Sequence, residues 1–237
     1  MREPLAFPNE ARDAARTKDA WGKNCFGEKR QGGQLVATQR GGTLIKVATP
    51  AMVGQGVFNY TALPFQIVSG FLYKYSAAFA QTASFNLMPT VANLQFQFGL
   101  IDVASGSTGF VFKSTADFYY FNGTTVIHVT DPDYPATTVY GVVFLDGTYY
   151  VMDANARIWG SAINDPSSWS ALNVIEAQIE PDGGVALARQ LNYIVAFGAY
   201  TTEFFYDAGN ATGSPLLSYS SAMLKIGCAT AGSIAQT

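Results

Sequence analysis

The chain has a single histidine, His128, and only two cysteines, Cys25 and Cys228, in 237 residues. That scarcity removes most nucleophile and metal chemistry at the outset. A Ser-His-Asp arrangement would have to use His128, which lies in the alternating run Val126-Ile127-His128-Val129, the setting of a structural strand histidine; the chain also has no G-x-S-x-G elbow. Zinc sites pair Cys or His ligands at short spacings, and one histidine with two distant cysteines supplies no such pair. The cysteines read as two separate thiols, because no disulfide framework is visible. The glycine pairs Gly32-Gly33 and Gly41-Gly42 lack the Lys-Ser/Thr ending of a phosphate cradle and read as turns. No catalytic, cofactor-binding or metal-binding residue is therefore assigned, and the chain is not expected to be an enzyme.

Charge is scarce as well. Asp, Glu, Lys and Arg make up 13% of the residues, about half the usual share, which suits burial and subunit contact better than a solvated monomer. The distribution is uneven: residues 1–30 hold seven basic and five acidic groups, while the remaining 207 residues carry seven basic and twelve acidic ones. Tight binding of nucleic acid displaces phosphate counterions with several Lys or Arg side chains, and this mildly acidic body has no basic stripe to do so. Long apolar runs are also missing. The charge-free segments on either side of Lys74 are interrupted by Gly, Pro, Asn and Gln, and the N-terminus lacks a signal-peptide core, so neither membrane insertion nor secretion is expected.

What the chain does have is strand formers and punctuation. Hydrophobic residues reach 49% and aromatic ones 14%, with 23 glycines and 10 prolines that argue for many short elements instead of long helices. Residues 1–30 are expected to be a charged arm or short helix, with the Ala-rich, charged stretch 9–20 as its helix-forming part. From residue 31 a strand-rich domain is expected. Leu94 to Leu100 alternates apolar and polar residues, which places Leu94, Phe96, Phe98 and Leu100 on one strand face. Hairpins follow: Asp117–Phe121 turns at Asn122-Gly123 and returns through Thr125–Val129; Val142–Leu145 turns at Asp146-Gly147 and returns as Thr148–Met152. A third strand lies around Arg157–Gly160. Val185–Ala188, Asn192–Gly198 and Thr202–Asp207 then repeat this triplet at an offset of about 43 to 45 residues. A period of that size with three or four strands per unit predicts an all-β, β-propeller-like fold of repeated three- to four-stranded antiparallel sheets, with a β-sandwich as the alternative.

The remaining polar candidates are weak. Asp131 and Asp133 have the spacing for a calcium site, but with Pro132 and Pro135 around Tyr134 they read better as a loop fixing a chain crossing. Sequons occur at Asn59, Asn122 and Asn210, two of them in hairpin turns that favour Asn and Thr on backbone grounds. The aromatic clusters Tyr119-Tyr120-Phe121 and Phe204-Phe205-Tyr206 offer surfaces for stacking sugars or bases, yet half of each faces a core in an alternating strand. A functional alternative rests on these features: a carbohydrate-binding or glycoside-hydrolysing propeller using carboxylates such as Asp131, Asp133, Asp146 or Asp182. Hydrolysis would need two of them roughly 5 Å apart for retention, or farther apart for inversion.

The order Asp131-Pro132-Asp133-Tyr134-Pro135, Phe144-Leu145-Asp146-Gly147-Thr148-Tyr149, and Ser161-Ala162-Ile163-Asn164-Asp165 with Trp169 resembles the packaged-DNA stabilisation or tail nozzle proteins of short-tailed bacteriophages. It continues through Glu176, Pro181-Asp182-Gly183, Phe197-Gly198, Thr202-Glu203-Phe204, Ile226-Gly227-Cys228 and Ser233-Ile234-Ala235. The match is good from about Phe118 to the end; Asn24-Cys25-Phe26 and Leu72-Tyr73 anchor its weaker N-terminal part. The resemblance implies a β-propeller virion protein assembled as a homo-oligomeric ring, a hexamer, in the tail below the portal and adaptor. Fibre, spike or needle proteins would be its further neighbours, and double-stranded DNA would pass through non-specifically. It also implies a role in closing or lining the DNA exit channel. The family's chains run longer than this one, so the domain from residue 31 is expected to be an incomplete propeller, a fragment continuing beyond Thr237.

Overall fold

The computed structural model describes residues 25–29, 35–39, 54–68, 70–87, 102–106, 109–177, 179–231 and 234. The expected helix at 9–20 and strand at 94–100 lie outside these residues. The chain divides into the units Met1–Ala48 and Thr49–Thr237. In the first, β1 (Cys25–Lys29) and β2 (Leu35–Gln39) form an antiparallel pair.

The second unit is a series of four-stranded antiparallel sheets in which each strand pairs with the next in sequence. Blade one comprises β3 (Gly54–Tyr60), β4 (Leu63–Val68), β5 (Phe71–Tyr75) and β6 (Gln81–Asn86). Blade two comprises β7 (Asp102–Ser105), β8 (Phe110–Lys113), β9 (Phe118–Phe121) and β10 (Val126–His128). Blade three comprises β11 (Val143–Leu145), β12 (Thr148–Met152), β13 (Arg157–Ala162) and β14 (Asp165–Glu176), and blade four β15 (Gly184–Gln190), β16 (Tyr193–Gly198), β17 (Thr202–Asp207) and β18 (Leu216–Ser218). The described residues contain no α-helix, only a 3-10 turn at Ser220–Ala222. This is the β-propeller architecture that the repeat predicts.

The register explains the period. Leu145 pairs with Thr148 across Asp146-Gly147, and Gln190 pairs with Tyr193 across the next turn, so equivalent positions lie 45 residues apart, from 148 to 193. Asp146 and Gly147 both have positive φ, +47° and +90°, as a two-residue hairpin of right-handed twist requires. Asn122-Gly123 belongs to a four-residue loop instead: the Asn122 side-chain oxygen accepts the N–H groups of Thr124 and Thr125, and Asn122 N–H bonds Thr125 O.

Successive blades pack face to face. Phe65, Ile67 and Leu72 of blade one meet Phe110, Phe112, Tyr119 and Phe121 of blade two. Val111 and Phe118 on the other face of blade two meet Tyr149, Val151 and Trp169 of blade three. Tyr150, Met152 and Ile158, on the far face of blade three, meet Leu187, Ile194, Ala196 and Phe205 of blade four. Interior blades are thus buried on both faces. Every residue of β8 and of β12 is buried, so the strands read as unbroken apolar runs, Phe110 to Phe112 and Tyr149 to Met152, with no visible alternation.

Burial pushes the phenols of Tyr119, Tyr149 and Tyr150 far above the ordinary tyrosine range, helped at Tyr119 by the Asp117 carboxylate and at Tyr149 by Tyr120. A folded-state pKa above the unfolded one means that the folded state holds its protons longer. Stability is then full below about pH 10, the unfolded value, and falls as pH rises past it. The urea midpoint is expected to be flat near neutrality and to drop above about pH 10, with phenolate absorbance appearing together with unfolding. Phenolate absorbance that develops well before unfolding would contradict this.

Candidate functional site

The first strands of the four blades surround one cavity of about 480 Å³, lined by Val57 and Phe58 of β3, Val103 to Ser105 of β7, residues 140–144, Leu187 to Arg189 of β15, and Ile234. Most of its lining residues have apolar side chains. Its one cation, Arg189, is committed to architecture: Nη1 donates to Phe144 O at 2.7 Å and Nε to Leu191 O at 2.7 Å, tying blade four to blade three. Tyr140 forms a parallel bridge with Ala186 beside it, with Leu187 N–H donating to Tyr140 O. No lining residue is an acid or a histidine, and the Arg189 and Tyr140 contacts join the inner edges of blades three and four.

Polar side chains elsewhere secure the straps that connect the blades. Lys113, fully buried, donates from Nζ to Val139 O at 2.7 Å and Ser114 O at 3.3 Å, while Val139 N–H bonds Met152 O of blade three. Asp131 Oδ1 accepts Asp133 N–H and Oδ2 accepts Trp169 N–H, and the Tyr134 ring packs on Phe118 and Trp169. The Asp-Pro-Asp-Tyr-Pro segment thus fixes a chain crossing. In the next strap, Glu203, 2% exposed, accepts Ile179 N–H at 2.9 Å, and Asp182 accepts Tyr200 N–H, Thr201 N–H and the Thr201 hydroxyl. These roles of Lys113 and Glu203 escape sequence reading, because the partner atoms lie 26 and 24 residues away.

The four carboxylates of the glycosidase alternative fall in three separate turns: Asp131 and Asp133 in the strap before blade three, Asp146 in the β11–β12 hairpin, and Asp182 before β15. Asp131 and Asp182 are engaged by backbone N–H groups. His128 stacks on Tyr119 and lies 3.3 Å from Asp117 through Nε2. Ser114 is close by, but its hydroxyl bonds Asp117, 3.5 Å away, and accepts the N–H groups of Ala116 and Asp117. The aspartate stands between serine and histidine, the wrong order for a base to take the serine proton. Among the described residues no three His, Cys, Asp or Glu side chains converge on a metal position, and no helix is long and apolar enough to cross a membrane.

Cys228 is a buried thiol donating to Thr230 O, whereas the Cys25 side chain and both glycine pairs lie outside the described residues. Asn122 and Asn210 occupy turns and Asn59 lies in β3. In the aromatic clusters Tyr119, Phe121 and Phe205 are buried, and Tyr120, Phe204 and Tyr206 partly so.

No curated protein matches the chain. Among solved structures it is similar to the computationally designed Ika4 protein, at 9% identity and a TM-score of 0.49 over 70% of this chain and 98% of that one. It is also similar to the computationally designed Ika8 protein, at 14% identity and a TM-score of 0.44 over 79% of this chain and 57% of that one. Residues 32–237 match the family model described as "Phage_stabilise: Bacteriophage P22 Gp10, beta-propeller". That span takes in all four blades and their straps, and the chain belongs to this phage stabilisation family of β-propeller proteins.

Proposed function

We propose that the protein is a structural component of the virion, a nozzle subunit of a short phage tail that closes or lines the DNA exit channel and helps retain packaged double-stranded DNA. Membership of the phage stabilisation family carries this reading. The way polar side chains are used supports it: Lys113, Asp131, Asp182, Arg189 and Glu203 all hold backbone. Retention in this proposal is steric. Past residue 30 acidic groups outnumber basic ones, twelve to seven, so the surface repels phosphate instead of gripping it, and DNA can slide past. The working form is a homo-oligomeric ring, a hexamer, seated below the portal or adaptor and carrying a fibre, spike or needle, with residues 1–30 as an assembly arm.

We propose as well that the propeller domain from residue 31 extends past four blades. Blade three packs on blade four through Tyr150 and Met152. Their register equivalents in blade four, Val195 and Phe197, face away from blade three together with Phe204, into an apolar groove of about 770 Å³. Leu224 and Ile226 edge this groove while 48% and 72% exposed. A further blade presenting counterparts of Ile194, Ala196 and Phe205 fits that face.

Cryo-electron microscopy of the native particle tests both readings. A ring of copies on the axis below the portal, each with a sheet stacked on blade four, is the expected result. Copies on peripheral appendages, or none in the particle, would overturn the nozzle reading, and solvent against Phe197 and Phe204 would overturn the further blade.

A further inference from the structure

A second concavity, of about 390 Å³, opens between the strap before blade three and the β12–β13 turn. Its size is within the range of small-molecule sites, and it is backed by the blade two–blade three core, on which its Tyr134 and Trp159 pack. Asp153, 5% exposed, organises one wall. Its carboxylate accepts the N–H groups of Asn155 and Arg157, Arg157 Nε at 2.8 Å and Trp159 Nε1 at 3.3 Å, and pairs with Arg157 Nη2 at 2.7 Å. The guanidinium lies over the indole, 5.4 Å from its ring centroid, so both groups are held before any ligand arrives. The opposite wall is Tyr134 with Pro135, rigid because the tyrosine ring packs on Phe118 and Trp169. Asp133 and Asn155 stand exposed in the lining.

We propose that this cleft binds a neutral hexopyranose unit of a surface glycan. A pyranose has an apolar C–H face and a rim of hydroxyls, each both donor and acceptor. The cleft offers apolar walls of indole, phenol ring and proline, and three planar polar groups that match the rim: a carboxylate that accepts, a carboxamide that does both, and a guanidinium that donates. Charge selects within that class. Arg157 is offset by buried Asp153, which leaves Asp133 to disfavour an anionic sugar. Binding is not followed by hydrolysis in this proposal, because the lining has only two carboxyls and one of them, Asp153, is taken up by five contacts. The wall is preorganised, so little ordering opposes binding.

The site is independent of the nozzle reading, and particle imaging does not decide it. Saturation-transfer NMR on the 237-residue chain, with the methyl glycosides of glucose, galactose and mannose as probes, does. Transfer to at least one glycoside is expected, with a millimolar dissociation constant. The double substitution Asp133→Ala and Asn155→Ala, at exposed positions, is expected to weaken it at least about tenfold (about 1.4 kcal/mol) while leaving the urea midpoint unchanged. Transfer to none of the three glycosides, or equal transfer to wild type and double variant, would overturn the proposal.

Discussion

Replacing Phe110 by alanine is expected to destabilise the protein by about 3–5 kcal/mol. The ring is fully buried and lies 4.8 Å from Phe58, 5.1 Å from Tyr60 and Phe65, 5.0 Å from Phe121 and 5.9 Å from Phe112. Truncation removes the transfer free energy of the ring and leaves a cavity that these neighbours cannot close. They belong to two sheets held by their own strand pairing, and each already packs on another ring. Since a domain commonly has only about 5–15 kcal/mol in total, the loss would remove a large share of it. Urea unfolding followed by near-ultraviolet circular dichroism measures the effect. Leu172→Ala, at a position 77% exposed on β14, is the control and should stay within about 0.5 kcal/mol of wild type. A Phe110→Ala cost below about 1 kcal/mol would mean that blades one and two are not stacked as described.

Gly141→Ala should be nearly as damaging, for a different reason. Gly141 has φ +99°, and a Cβ there would lie 1.8 Å from the carbonyl oxygen of Leu187. Backbone cannot yield at this place without losing the Leu187 N–H to Tyr140 O bond and the Tyr140–Ala186 bridge, which join the inner edges of blades three and four. Gly123 separates the two components of the effect. It has nearly the same φ, +98°, but no atom within 4 Å of a built Cβ, so Gly123→Ala bears only the conformational cost of about 1–2 kcal/mol. Gly141→Ala is expected to cost at least about 2 kcal/mol more, the conflict with a packed backbone being added to that strain. Hydrogen exchange should quicken first at Leu187. Equal destabilisation by the two alanines would show that the inner edges are not in contact.

Much of the architecture was legible before the structure, because hairpin chemistry is local. Asp146-Gly147 demands positive φ at consecutive residues, and only a tight two-residue turn uses that pair this way, so β11 and β12 followed directly. The same turn spacing in blade four exposed the repeat. Blade one was harder: its β3–β4 turn is Thr61-Ala62, at φ +48° and +61°, residues that give no turn signal. β14 was equally hidden, since its twelve residues from Asp165 to Glu176 are mostly exposed and its pairing with β13 is broken by register shifts around Ser161.

The sequence by itself determined the class of the protein: a sparsely charged all-β repeat whose hairpin turns recur at blade spacing. Tertiary structure decided which face of each strand meets which blade, because TYYVM in β12 is buried throughout and its alternation becomes visible only when Tyr149 and Val151 turn to blade two and Tyr150 and Met152 to blade four. It also decided what the few charged residues do. Lys113 and Glu203 look like ordinary strand ends in sequence, yet each is buried against a strap backbone more than twenty residues distant. A buried charge is tolerated only where partners satisfy it, and such partners are brought together by the stacking of blades, which no local run of residues specifies.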